Sequence, residues 1–314
     1  MQTKEYFVPS RHDALPLSVL TLEPDAEPVG IMQISHGMCE HKERYLPLME
    51  YLCSKGYVCV IHDHRGHGQS VQSEEDYGFF YDHGASGLIA DLAQITRSVR
   101  RQYPALPLYL LGHSMGSLIA RCLLKRAPGL LDGLIVCGCP SNNPASRVAA
   151  DLVGVLQKQF GPRHRSDKIY KLVFDRFGAS WPDEGKNSWI CSNPAVQTAY
   201  GDDPACGFVF TLNGFEALFQ LMNIVYSGRG WKVEDKELPI WFISGGDDPC
   251  MISRSKLIDA LSVLQLAGYE DVTYRIYDGM RHEILNETDR QRVFDDIYAH
   301  LERWRSVPRL PREG

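Results

Sequence analysis

The 314-residue chain reads as an α/β protein: a mostly parallel central sheet, helices on both faces, and a helical segment inserted late in the sheet. From residue 30 onward, short apolar runs alternate with longer amphipathic stretches. Strand and helix in that rhythm mean βαβ units. The rhythm breaks at Pro140-Ser141-Asn142-Asn143-Pro144 and resumes at Leu238. Parallel strands covered on both faces read as continuous apolar runs, which is what the short runs are.

The elements follow in order. Gly30–Ser35 is a short apolar run ending at His36-Gly37. Residues 43–54 carry Tyr45, Leu46, Leu48, Met49 and Leu52 at helical spacing. Tyr57–His62 is a buried-strand run. Residues 88–103 put Leu88, Leu92, Ile95 and Val99 on one helical stripe. Strand 108–111, helix 118–125 and strand 134–139 come next. Helices are expected at 148–159, 168–177 and 214–225, separated by Pro182, Gly185, Pro194, Pro204 and Gly207. Strand 238–243, helix 254–266, strand Val272–Tyr277 and helix 289–304 close the pattern. Pro308 and Pro311 should leave the tail frayed. The division expected is a core of residues 1–140 and 236–314 with a helical cap, 141–235, between its halves.

Composition narrows the function. Thirty-three basic against thirty-nine acidic residues give a net charge of -6. A basic footprint for nucleic acid is missing, and so is a broad pull toward anionic lipid. The first residues, Met1 to Pro9, carry no apolar core of a secretory leader. No run approaches the ~18 apolar residues of a spanning helix. The nine cysteines are scattered with no C-x-x-C pair, although Cys137 and Cys139 would share a strand face. That pattern implies reduced thiols in a cytoplasmic protein, with neither a disulfide framework nor a structural zinc site. Nothing in the sequence fixes an oligomeric state.

Gly112-His113-Ser114-Met115-Gly116 is a G-x-S-x-G between an expected strand and an expected helix. Such a turn holds the serine hydroxyl out at the sheet edge, and the glycines let neighbouring backbone approach. The helix that follows aims its N–H groups and positive dipole end at the reacting oxygen. An acid and then a histidine should follow in chain order. Of the histidines far enough downstream, His300 falls within the last helix and reads as a surface residue, whereas His282 lies on a loop after a strand. A general base belongs on such a loop. The acid should lie in Gly245-Gly246-Asp247-Asp248-Pro249, where spacing does not choose between the two aspartates, and Asp278 is a third candidate. Two backbone donors for an oxyanion are expected, the amide of Met115 and that of Met38 after the first parallel strand.

These residues resemble the monoacylglycerol lipase and lysophospholipase branch of the α/β-hydrolases, also described as serine aminopeptidase-like. The resemblance spans nearly the whole chain. It rests on His36-Gly37-Met38-Cys39-Glu40-His41 with Arg44-Tyr45, on Asp63-His64-Arg65-Gly66-His67-Gly68-Gln69-Ser70, on the serine motif, on Gly245 with Asp248-Pro249, and on Arg281-His282-Glu283. It implies an α/β-hydrolase fold with a helical cap, and Asp248 rather than Asp247 as the acid. It also implies that Glu40 and Arg44 lie near the polar head of the substrate. One departure stands out: no second histidine follows His282 in His282-Glu283-Ile284-Leu285-Asn286-Glu287, which sets the chain apart from a strict monoglyceride pattern.

Other readings carry less. His62, His64 and His67 share spacing with a metallo-hydrolase block, but Gly66 stands where that block needs aspartate, so no metal is expected. An aminopeptidase or amidase would need a carboxylate for the substrate's amine, and Glu216 in the cap is the only residue suggested. A non-catalytic ligand-binding protein would keep the same pocket. The reading adopted is ester hydrolysis through an acyl-enzyme, with no cofactor, on a single-acyl lipid or similar apolar ester. Ligands of parallel sheets bind beyond the strands' carboxyl ends, so the cap should roof the site. Its aromatic residues, Phe215 and Phe219 above all, are expected to enclose the acyl chain, and its outer surface to touch membrane transiently.

Overall fold

Five strands have every residue buried: β3 (Gly30–Ser35), β4 (Tyr57–His62), β5 (Leu108–His113), β6 (Gly133–Cys137) and β7 (Ile240–Gly245). The computed structural model, which describes residues 1–175 and 177–307, sets them at the centre of one eight-stranded sheet. The sheet is completed by β1 (Gln2–Pro9), β2 (Pro16–Glu23) and β8 (Val272–Tyr277), in the order β1-β2-β4-β3-β5-β6-β7-β8. The pairs from β4 through β3 to β8 are parallel, and β2 runs antiparallel to both β1 and β4.

Alternate residues serve opposite faces, as the pleat requires. Ile31, Val58, Leu110, Leu134 and Phe242 join one apolar cluster, and their neighbours Met32, Cys59, Leu111, Ile135 and Ile243 the other. The first face is covered by α2 (Gly84–Gln102), α3 (Met115–Arg126) and α8 (Arg254–Ala267). The second is covered by α1 (Leu46–Ser54) and α9 (Arg290–Ser306).

Four further helices lie between β6 and β7: α4 (Ser146–Phe160), α5 (Asp167–Phe174), α6 (Pro194–Asp202) and α7 (Leu212–Tyr226). Side chains cap three of them: Ser166 accepts from the Ile169 amide, Asn193 from Ala195 and Thr211 from Gly214. Helix α7 packs against α2 and α3, and α4 packs along α7. The apolar side of α7 therefore belongs to the cluster on the first face of the sheet.

The expected rhythm and the observed elements differ in a few places. The hairpin β1–β2 lies before the rhythm begins, and the exposed, charged β1 has no buried face to mark it. Pro47 splits the helix expected at 43–54 into a 3₁₀ turn, Lys42–Tyr45, followed by α1, because proline supplies no amide to a continuous ladder. Strand β6 ends at Cys137, since Gly138 turns to φ 55°. Helix α6 was not expected, although Asn193-Pro194 is the pairing of a cap with a first-turn proline. The fraying expected at Pro308 and Pro311 lies outside the described residues.

Phe215 is fully buried on α7, ring against ring with Phe210 and Phe219. Phe215→Ala should therefore lower stability by about 3–5 kcal/mol through the cavity it leaves. Denaturant unfolding measures this, and a loss below about 1 kcal/mol would show that the ring is not a core residue.

Candidate active site

The turn after β5 sets Ser114 at φ 52°, ψ -118°, a left-handed-side conformation that a side chain adopts only under constraint. The constraint is close packing. A Cβ on Gly112 would come within 2.6 Å of the Gly116 carbonyl, and one on Gly116 would overlap the Ser35 and His36 carbonyls. The Ser114 amide donates to the Cys137 carbonyl at 2.9 Å, which ties the turn to β6. Helix α3 begins at the next residue, Met115.

The loop after β7 supplies Asp247 and Asp248, the loop after β8 supplies Asp278, and the three differ in where they stand. Asp248 is buried, and its Oδ1 lies 2.9 Å from Nδ1 of His282. Asp247 and Asp278 are exposed. The Cys250 amide donates to Asp248 Oδ1 at 2.8 Å, and the Ser244 hydroxyl to Oδ2 at 3.1 Å. Burial pushes the Asp248 carboxyl up, but the charge and hydrogen bond of His282 outweigh it, so the group stays below its ordinary range. Burial likewise pulls the His282 imidazole down, and Asp248 overcomes that, leaving it above its ordinary value. The paired ring thus favours a proton on Nδ1, directed at Asp248. Nε2 faces the cavity side, 3.9 Å from the Cys250 thiol.

Ser114, His282, Met38, Glu40 and Cys250 line one cavity. Among the described residues, neither the Met38 nor the Met115 amide donates to a protein acceptor. The loop bearing Met38 abuts the serine: a Cβ on Gly37 would stand 3.3 Å from the Ser114 Cβ. The opposite wall comes from the segment between β6 and β7: Tyr170, Phe174, Trp189, Ile190, Tyr200 and Phe208. That segment also holds the histidine loop directly, since the Glu283 amide donates to the Ile190 carbonyl at 2.6 Å.

Some expected site residues stand elsewhere. Phe215 and Phe219 do not line the cavity; their side of α7 turns to the sheet and its helices. Phe208 lines it instead, stacked on Tyr77. Glu40 does line the cavity, but both its oxygens are engaged by protein. Oε1 accepts from the Gly37 amide at 2.5 Å and the Tyr45 hydroxyl at 2.8 Å, and it lies 3.2 Å from His113 Nδ1. Oε2 accepts from Arg44 at 2.9 Å. Arg44 then grips Glu283 in a two-point pair, 2.7 and 2.6 Å. Burial would raise the Glu40 carboxyl, yet His113 and Arg44 hold it far below the usual range. Both Glu40 oxygens are thus taken up by protein donors, and Arg44, which grips the two carboxylates, does not line the cavity. Glu283 and Trp189 also line the cavity, and only tertiary contact brings them there.

His62, His64 and His67 are buried with rings packed edge to face, His62 against His64 at 4.9 Å. Burial lowers His62 and His67 to about 4, which keeps them neutral. Their ring nitrogens do not converge on one point among the described residues. His300 is half-buried rather than exposed, stacked on Trp241 with centroids 3.6 Å apart.

Comparison with known proteins agrees with this arrangement. Residues 26–289 match the family model described as serine aminopeptidase, S33. The mouse monoglyceride lipase is 31% identical over 289 residues, covering 90% of this chain and 84% of that protein. The monoacylglycerol lipase of Mycolicibacterium smegmatis is 26% identical over 282 residues, covering 88% and 90%. A thermostable carboxyl esterase from Bacillus coagulans, solved in complex with glycerol, superposes with a TM-score of 0.89 at 26% identity, covering 97% of this chain and 99% of that one. With the elbow, the buried acid–histidine pair and the mostly parallel sheet in place, the chain belongs to the serine aminopeptidase S33 family of α/β-hydrolases and is a hydrolytic enzyme.

Proposed function

We propose that this protein hydrolyses carboxylic esters of single-acyl lipids, monoacylglycerol or lysophospholipid, through an acyl-enzyme on Ser114. The observation that carries this reading is one cavity shared by a strained serine, a histidine paired to a buried aspartate, and an aromatic wall. Ser114 Oγ attacks the ester carbonyl while His282 Nε2 takes its proton. The same proton goes to the departing alcohol. Asp248 keeps the ring in its Nδ1–H tautomer and stabilises the imidazolium. The Met38 and Met115 amides stabilise the oxyanion. Water, activated by His282, then releases the acid. The hydrogen bond from serine to histidine tightens into place in the substrate complex, as catalytic hydrogen bonds often do.

Ester is favoured over peptide by the carboxylates. A free N-terminal amine needs an unpaired acid facing the cavity. Glu40 and Glu283 both line it, and both are held by Arg44. Glu216, on α7, is bound by Gln157 and lies off the cavity wall. The named activities of the mouse and mycobacterial relatives point the same way. Residues 141–235 act as a roof over the acyl chain, and Phe208 takes the contact role first expected of Phe215 and Phe219. Helix α4 exposes Val148, Leu152 and Val155 along one side, with Phe160 at its end and Leu172 exposed on α5. This apolar surface supports transient contact with a lipid interface. Among the described residues no helix is long and apolar enough to cross a membrane. The nine free thiols support a reducing, cytoplasmic setting.

The pH profile tests the acid–histidine pair. His282 must be neutral to act, and its pKa lies above the ordinary 6.5. Activity should therefore fall as pH drops through a midpoint above that value. Asp248→Asn should lower kcat by a factor on the order of 10⁴ and move the remaining acid limb to lower pH. Asp247→Asn should change neither by more than a few fold. Equal effects of the two variants, measured on a p-nitrophenyl ester, would remove Asp248 from its role.

Chain length tests the substrate class. Each enclosed methylene gains roughly 0.8 kcal/mol, about fourfold in kcat/KM, until the cavity ends. Activity should climb from acetyl to medium-chain p-nitrophenyl esters, and Phe208→Ala should make the climb shallower. A flat wild-type profile would contradict a lipid substrate and favour a small ester or amide.

A further inference from the structure

Apart from the serine cavity, the fold assembles a second cluster of metal-binding side chains. His41 lies in the loop after β3, Asp203 directly follows α6, and Cys206 comes three residues later. One ligand atom from each lies within 4.8 Å of the others. The three are prearranged by their surroundings. His41 Nδ1 donates to Glu43 Oε2 at 2.6 Å, which turns Nε2 toward Asp203 Oδ2 at 2.9 Å. The other Glu43 oxygen is fixed by Lys42 Nζ at 2.6 Å. Asp203 Oδ1 is occupied by the Ala205 amide at 2.8 Å, leaving Oδ2 for the cluster. The Cys206 amide donates to the Asp203 carbonyl at 3.0 Å, closing the turn that brings the thiol back. The Cys206 residue is 7% exposed, and the His41 and Asp203 side chains are 15% and 35% exposed, so the cluster is enclosed yet open to solvent on one side.

We propose that His41 Nε2, Asp203 Oδ2 and Cys206 Sγ form a binding site for Zn²⁺, separate from the catalytic serine. One nitrogen, one sulfur and one carboxylate oxygen suit a borderline-soft cation and not calcium or magnesium, which take oxygen ligands. Bond lengths of about 2.0–2.3 Å place tetrahedral ligands roughly 3.3–3.8 Å apart, so the Nε2 and Oδ2 atoms, now 2.9 Å apart, part slightly to admit the ion. Water fills the fourth position on the open side. The ion takes the place of the proton between Nε2 and Oδ2. That proton and the thiol proton leave to solvent, so binding one Zn²⁺ releases two H⁺. His41 keeps its Nδ1–H on Glu43, and a carboxylate behind a ligating imidazole is a recurrent support of zinc sites.

The site joins two parts of the chain that both wall the serine cavity. Glu40 precedes His41, and Gly207 follows Cys206; both residues line the cavity. The Gly207 amide already donates to the Cys39 carbonyl at 3.0 Å, and the Cys39 thiol to the Phe208 carbonyl at 2.9 Å. Bound zinc would fasten the loop after β3 to the segment after α6 at this seam. A second group of candidate ligands, Asp248, Cys250 and His282, is the catalytic pair with its neighbouring thiol and serves as the control.

Cobalt is the probe. Added to the metal-free full-length protein, Co²⁺ should bind once per chain. The bound ion should show the visible bands of a tetrahedral complex and a near-ultraviolet thiolate-to-cobalt band, all displaced by Zn²⁺. Cys206→Ser should lose the thiolate band, and Cys250→Ser should keep it. Glu43→Gln should weaken Zn²⁺ binding by about 10- to 100-fold while leaving all three ligands in place. Melting curves identify any variant that fails to fold, and the Cys250 and Glu43 variants decide the matter if Cys206→Ser does. Absence of a thiolate band in the wild type overturns the proposal and leaves His41 as an ion-paired link between Glu43 and Asp203. So does a band lost in Cys250→Ser, or zinc affinity unchanged in Glu43→Gln.

Discussion

A single buried carboxylate, Glu40, joins three of the loops on which the site depends. It accepts the Gly37 amide from the loop after β3 and faces His113 beside the serine. It also binds Arg44, whose guanidinium at the same time holds Glu283 next to His282. The loops after β3, β5 and β8 are therefore connected through one charge network. Removing one member of such a network leaves an unpaired charge in a poorly solvated place, which costs about 3–5 kcal/mol. Glu40 is a positioning residue in this scheme. By holding the Gly37 amide it fixes the turn on which Met38 lines the cavity.

The second constraint is steric. Ser114 keeps its positive φ because β5, the start of α3 and the end of β3 pack too closely to allow anything but glycine at 112 and 116. Strain of this kind persists only where the surroundings over-determine it. Here the Ser114 amide bonded to Cys137, and the Ser35 and His36 carbonyls against Gly116, do so. The hydroxyl is thereby held at the mouth of the sheet without help from flexible side chains.

Much of this was legible in the sequence, for physical reasons that differ by element. The five central strands are buried on both faces, so their apolar runs are continuous and their positions readable. The serine turn was readable because its glycines are demanded by backbone contact. Asp248 could not be told from Asp247 by spacing, since adjacent residues differ only in where their side chains point. The family pattern favoured Asp248, and it is the residue bonded to His282. Phe215 and Phe219 lie in the core cluster and off the cavity wall, a difference the sequence does not mark because an apolar stripe on a helix of the insert looks the same whether it meets a ligand or the core. The Arg44–Glu283 pair and the His41–Asp203–Cys206 cluster had no local signature at all. Each depends on residues far apart in the chain meeting through the fold.

The central claim is that Ser114, activated by His282 and Asp248, carries the hydrolysis. The most direct measurement is fluorophosphonate labelling with peptide mapping, run beside ester turnover on wild type and Ser114→Ala. A single adduct on the Ser114 peptide is expected, with kcat in the folded variant lower by a factor on the order of 10⁴ or more. An adduct on another residue, or undiminished turnover by folded Ser114→Ala, would contradict it.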